Sequence, residues 1–462
     1  MKKHAFLSRD PASAHRSWQG SRPASFGGAS SYASSVFEKD FAARKGVSEK
    51  PVEKPRKRFR SSKLTGDYEK PWLKNKDPRE KLDKVFFYGL SLIGAGIGAY
   101  ICWDRWNSVG NQNYCLAWED DFSGGINKDS WNYEVQIDGF GTGSFDWTTT
   151  DPRNAYTDAN GLHIVPTLTT EDIGISNNQL IHGYTLNLTS GGGDGTCTGT
   201  SNSACSIASN YTLNSVIPPI RSARLNTKGK HMLRYGKVEV TAKLPAGDWL
   251  WPAIWMMPQD NAYGDWPASG EIDIMEARGN SQYVFRNGGR DTVSGVLHWG
   301  PTAELDRFVE TSNGLYMRRK DFTQDYHTFG LEWTKDFIFT YYDNVLKQTL
   351  YVPFGSKLGD MYSRGRYAQI ANPNGYGAPN NPWSSSSNPN APFDQAFYLI
   401  LNVAVGGTNG FFPDGYAGKP WVDKLNNSAS AFWNASSAWK PTWGDADSRG
   451  MTVKSVKMWN TC

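Results

Sequence analysis

Residues 85–103, VFFYGLSLIGAGIGAYICW, carry no charged side chain over 19 positions. Inside a bilayer every backbone polar group must bond internally, so a run of this length and composition is suited to a membrane-crossing helix. It would divide the 462-residue chain into two parts facing different solvents. A cleavable signal peptide is the competing reading. However, 84 residues precede the run, and no convincing small-residue cleavage site follows it. Residues 51–84 hold 12 Lys and Arg, including KPRKRFR at 54–60, while the far flank has few. The positive-inside bias then places the N-terminus in the cytosol and residues from 104 onward in the secretory lumen or outside the cell, a single-pass type II topology. The basic run could also be a nuclear signal or a nucleic-acid patch. Beside a membrane span, contact with anionic lipid is the better reading, and no nucleic-acid partner is expected. Gly94 and Gly98 form a small-xxx-small pair, but glycine is common in such helices anyway. The expected organisation is a disordered basic tail over 1–84, a transmembrane helix over 85–103, a stem over 104–112 and a folded domain over 113–462.

The cysteines suit an oxidising destination for that domain. Of five, Cys102 lies in the apolar run, and Cys115, Cys197, Cys205 and Cys462 follow it. The even number suggests two disulfides. Cys197 and Cys205 share one Gly/Ser/Thr-rich loop and are expected to pair locally. Cys115 and Cys462 would then tie together the two ends of the folded region. Four Asn-x-Ser/Thr sequons, at Asn187, Asn210, Asn426 and Asn434, fall on the same side.

Short alternating runs fill this region: 236–244, 326–334, 337–346, 397–405 and 451–459. Turn-rich segments separate them, including a long insertion at 371–392, and no long amphipathic helix is evident. This predicts an all-β, antiparallel sandwich. The aromatic content, 19 Trp, 22 Tyr and 22 Phe, suggests a ligand surface that stacks on rings.

ASGEIDIMEARGN, residues 268–280, places Glu271, Asp273 and Glu276 among Ile272, Ile274 and Met275. In a regular strand Glu271 and Asp273 share a face and Glu276 points away. One β-bulge between 273 and 276 returns Glu276 to that face. Three carboxyl groups so close cannot all ionise cheaply, so at least one pKa should rise. Retaining glycoside hydrolysis needs this arrangement: one carboxylate attacks the sugar and a protonated carboxyl donates to the leaving oxygen. Glu271 fits the nucleophile and Glu276 the acid/base, with Asp273 assisting. A calcium loop would bring Asn, Asp and Gly between the ligands, whereas the intervening residues here suit a strand. Trp249, Trp251, Trp255 and Trp266 lie just upstream, and His298 and Trp299 just downstream. Trp beside paired carboxylates suggests a carbohydrate cleft. Trp266 and Trp299, next to Gly and Pro turns, are assigned to the cleft, and Trp255 to the core. His298 is balanced between a structural role and a sugar contact. Scattered histidines without metal spacing argue against a catalytic metal.

WPASGEIDIMEARGN closely resembles the signature of family 16 glycoside hydrolases, in the laminarinase-like branch. The resemblance extends over LAWEDDF (116–122), RYGKVEVTAKLPAGDWLWPAIWMMP (234–258), GVLHWG (295–300), HTFGLEWT (327–334) and LNVAVGGTNGFFPDG (401–415). It implies a jelly-roll sandwich with a concave glycan cleft, in which residues 113–462 form the catalytic domain. It also implies retaining cleavage of internal β-1,3 linkages of glucans by Glu271, Asp273 and Glu276. Trp266, Trp299 and Trp251 are then sugar-side aromatics, and His298 and Asn402 polar cleft contacts. No cofactor is implied. Some relatives hold a structural calcium, for which no ligands are assigned here. The family also includes transglycosylases of the cell wall and glucan binders that have lost catalytic carboxylates, and this chain keeps all three.

Overall fold

The structure is a computed structural model that describes residues 61–74, 77–108, 112–286, 288–355, 358–373 and 375–462. The KPRKRFR run and most of the expected tail lie outside these residues, as does part of the expected stem.

The apolar run forms one helix, Arg79–Ser108. At about 1.5 Å per residue it is roughly 45 Å long, and by length and composition it can cross a membrane. It begins before Val85 and continues beyond Trp103, so parts of the expected tail and stem are helical. Residues 79–84, REKLDK, are good helix formers. Asp77 Oδ1 accepts from Arg79 N at 2.9 Å, and Lys84 pairs with Glu80 one turn away at 2.7 Å. A separate short helix, Pro71–Lys74, also falls in the segment expected to be disordered.

Residues 114–461 contain two large antiparallel sheets and two small ones. The expected runs are strands at Gly236–Lys243, His327–Trp333, Phe337–Tyr342, Phe397–Val405 and Met451–Thr461. The described part of 371–392 contains no strand or helix, and the longest helix in this region, Ser428–Asn434, has seven residues. The first large sheet centres on Gly236–Lys243 between His327–Trp333 and Met451–Thr461. The second runs in the order Ser312–Tyr316, Thr292–His298, Glu271–Ala277, Leu250–Pro258, Phe397–Val405, Arg224–Asn226, Asn132–Tyr133.

Alternation builds the core between the sheets. Val238, Val240 and Ala242 of the first sheet are fully buried, as are Ile254, Met256, Leu399, Leu401 and Val403 of the second. These residues form one continuous apolar cluster, whose removal from water is the main favourable term in folding. The result is a jelly-roll sandwich. Much of the aromatic content that suggested a ligand surface is core instead: Trp131, Trp299, Trp333, Trp421 and Trp439 are all fully buried. Cys115 bonds Cys462, and Cys197 bonds Cys205. The first joins neighbouring strands, because Tyr114–Asp120 pairs with Met451–Thr461.

Candidate active site

The carboxylate strand, Glu271–Ala277, is bulged between Asp273 and Glu276. On one side Asp273 faces Val296 and Glu276 faces Ser294, so three steps on this strand match two on its neighbour. The same shift appears on the other side, where Asp273 faces Trp255 and Glu276 faces Ala253. The extra residue lies at Ile274 and Met275, whose side chains are both buried in the core. All three acidic side chains therefore share the face of the sheet turned away from the core.

Each carboxyl group has distinct neighbours. Glu271 Oε2 accepts from Trp266 Nε1 at 2.5 Å, and its carboxyl group lies within 4.8 Å of that of Asp273. Glu276 Oε1 accepts from Trp251 Nε1 at 3.0 Å, and the Trp251 ring stacks on Phe411 at 4.0 Å. Burial pushes Asp273 well above the usual carboxylate range, and the charges of Glu271 and Glu276 push in the same direction. Burial also raises Glu276, while His298 and the Trp251 hydrogen bond pull it back. The site thus favours a proton on Asp273 and on Glu276, as a general acid requires.

His298 sits opposite Glu271 on the adjoining strand. Its Nδ1 meets Asp306 Oδ2 at 2.6 Å, and its Nε2 lies 3.4 Å from Asp273 Oδ2. Burial opposes its charge, but Glu271, Asp306 and Glu276 outweigh that and raise its pKa to about 9. The imidazolium is thus a fixed positive charge within the acidic cluster. A raised histidine pKa stabilises the fold fully below the unfolded value of about 6.5, and that stabilisation is lost as pH rises through the folded value. Thermal melts of the wild-type chain should therefore lose stability between about pH 6.5 and 9. His298→Gln should flatten that part of the curve, and an unchanged slope would contradict the assignment.

Glu271, Asp273 and His298 also form the one group among the described residues whose ligand atoms, all within 4.8 Å of one another, could hold a metal ion. Nδ1 of His298 is committed to Asp306, and Nε2 faces the two carboxylates.

Of the aromatics expected in the cleft, Trp266 is 41% exposed and stands beside Glu271. Trp251 is nearly buried but touches Glu276. Trp299 is not in the cleft. Its Nε1 donates to Thr311 Oγ1 at 2.8 Å within the core, and the side chain is fully buried. The reason is alternation: His298 faces the carboxylates, so the next residue faces inward. Trp255, expected in the core, shows the reverse. It lies opposite Asp273, half-buried on the cleft face, and its Nε1 donates to Asn402 Oδ1 at 2.7 Å. The Arg224 guanidinium sits over the Trp255 ring at 4.6 Å and pairs with Glu134.

Sequence reasoning missed Asp306, Phe308, Arg224 and Arg278. Phe308 stacks on His298 at 5.2 Å. Arg278 shares the Glu276 face, lies over Phe411 at 4.1 Å and donates to the Phe411 carbonyl. The alternation after the bulge could have found Arg278. Asp306 and Phe308 reach the site from a loop that carries no periodic signal.

Trp251→Phe removes a hydrogen bond that favours the charged form of Glu276. The Glu276 pKa should rise, and the alkaline limb of kcat/KM should move to higher pH. A limb that stays in place would show that this bond does not tune Glu276.

A family model described as Glycosyl hydrolases family 16 matches residues 189–362. A beta-1,3-glucan-binding protein of Penaeus monodon is 40% identical over 351 residues, covering 75% of this chain and 90% of that protein. The chain belongs to family 16 of the glycosyl hydrolases. A glucan endo-1,3-beta-glucosidase of Cryptopygus antarcticus is 31% identical over 296 residues, covering 64% of this chain and 81% of that protein. The glucan endo-1,3-beta-glucosidase A1 of Niallia circulans is 39% identical over 191 residues, covering 40% of this chain but only 22% of that protein.

Proposed function

We propose that this chain is a membrane-anchored endo-β-1,3-glucanase that cleaves internal linkages with retention. The observation that carries the reading is the bulged strand, which brings Glu271, Asp273 and Glu276 onto one face of the sheet. In the first step a Glu271 oxygen attacks the anomeric carbon. Glu276 gives its proton to the glycosidic oxygen as that bond breaks. In the second step Glu276 takes a proton from water, whose oxygen displaces Glu271 and releases the sugar. Asp273, which holds a proton beside Glu271, donates to the nucleophile and orients it. Trp266 offers a ring face to the sugar beside the nucleophile, with His298 and Asn402 as polar contacts. The two displacements need no metal or cofactor.

The helix at Arg79–Ser108 supports a membrane anchor, and the two disulfides suit a catalytic domain in the lumen or outside the cell. The basic segment before the helix supports the type II topology.

A second reading, a glucan-binding protein without turnover, is favoured by the name of the Penaeus monodon relative. The intact acidic triad weighs against it. The test uses the chain purified in detergent, a linear β-1,3-glucan oligosaccharide, and product masses followed over time. Accumulation of shorter sugars alone supports hydrolysis. Products longer than the substrate would make the chain a transglycosylase, and binding without any new product would make it a binding protein.

A further inference from the structure

Phe411 and Phe412 are neighbours in the chain with opposite fates. Phe412 is buried in the core, edge-on to Trp249 and Trp421. Phe411 packs instead on Trp251, whose indole is parallel to its ring within 7° at a centroid distance of 4.0 Å. The Arg278 guanidinium lies over the same Phe411 ring at 4.1 Å. Two groups at 4.0 and 4.1 Å cannot share one side of a ring, so Phe411 is held between them. Arg278 fixes the backbone there as well. Its Nε and Nη2 both donate to the Phe411 carbonyl, and its Nη1 donates to the Gly288 carbonyl at 3.3 Å.

The rest of this loop is anchored without Arg278. Lys419 is buried, donates to the Phe412 carbonyl at 2.9 Å and pairs with Asp414 and Asp423. Trp421 Nε1 donates to the Gly407 carbonyl at 2.8 Å. What Arg278 adds is therefore local to Phe411 and to the ring beneath it. That stack ends on the acid/base, because Trp251 Nε1 donates to Glu276 Oε1. Burial lowers the Arg278 pKa to about 10, so the guanidinium keeps its charge at neutral pH.

We propose that Arg278 is a positioning residue, whose guanidinium clamps Phe411 against Trp251 and so fixes the indole that holds Glu276 in line with the glycosidic oxygen. Arginine suits the task, because its plane stacks on a ring while its fork donates to a carbonyl. Without it Phe411 loses its carbonyl partner and the packing on one face, and Trp251 gains room to turn. A misplacement of about 1 Å at the reacting groups costs on the order of 100-fold in rate. The consequence for turnover rests on the glucanase reading, but the clamp on Trp251 does not require turnover.

In the full chain purified in detergent, Arg278→Met should lower glucan cleavage by about 100-fold. An aryl glycoside with an acidic phenol as leaving group takes no proton from Glu276, so its first-step release of phenol should be nearly unchanged. Phe411→Leu removes the plate from the loop side and should show the same contrast, whether or not Arg278→Met folds. Arg278→Lys keeps the charge without the plane or the fork, so it should lose glucan cleavage as Arg278→Met does. The Arg278 charge favours ionised Glu276, so the alkaline limb of kcat/KM should move to higher pH in Arg278→Met and stay in place in Arg278→Lys. A readout free of turnover is fluorine NMR of the chain labelled with fluorotryptophan, the Trp251 signal being assigned by its loss in Trp251→Phe. That signal should shift or broaden in Arg278→Met and in Phe411→Leu. An unchanged Trp251 signal, equal losses for the two substrates, or no loss for glucan overturns the clamp. A changed signal in a chain whose wild type never cleaves glucan supports the clamp while overturning the glucanase reading. Glucan turnover with an unchanged signal does the opposite.

Discussion

Replacing Glu271 with Gln should lower glucan turnover by about 10,000-fold or more, the scale of losing a nucleophile that forms a covalent intermediate. The amide is close to the carboxylate in shape and can still accept from Trp266 Nε1, so folding and glucan binding should persist. Replacing Glu276 with Ala should produce a different pattern. Glucan cleavage should fall about 100- to 10,000-fold, the usual range for general acid catalysis. An aryl glycoside with an acidic phenol as leaving group needs no proton from the enzyme, so its first step should be largely spared. The second step lacks its base, and the glycosyl-enzyme should accumulate as a burst. Rates for both substrates, measured on both variants, check this contrast. If Glu276→Ala lost both substrates equally, Glu276 would not be the acid.

The second large effect concerns the fold. Cys115 and Cys462 are separated by 347 positions, against 8 for Cys197 and Cys205. In the chain-entropy account a loop that long contributes about 5–6 kcal/mol, and the short one about 2.5 kcal/mol. The long bond fastens Tyr114–Asp120 to Met451–Thr461 in the first large sheet. Changing Cys115 and Cys462 together to Ser should lower the melting temperature by roughly 7–8 °C. Changing Cys197 and Cys205 should cost about half as much. Equal melting temperatures for the two double variants would show that loop closure is not what these bonds contribute.

Much of the site is legible in the sequence because a strand permits few arrangements. Glu271, Asp273 and Glu276 can share a face only with a bulge, and the apolar character of Ile274 and Met275 marks where it falls. The same alternation rule, carried one residue past His298, places Trp299 in the core. Carried along Leu250–Pro258 from Ala253, it places Trp255 on the cleft face. For those two tryptophans the partners across the sheet, and not the neighbours in sequence, decide the face. Asp306 is a harder case. Its role depends on loop geometry that no local pattern encodes.

The central claim is a covalent intermediate on Glu271, and trapping it is the most direct test. The chain is incubated with a β-1,3-glucobiosyl fluoride carrying fluorine at C2, which slows release of the sugar, then digested and examined by mass spectrometry. One added glycosyl group on the peptide containing Glu271 is the predicted result. A chain that hydrolyses glucan yet forms no adduct, or forms one on another residue, would contradict it.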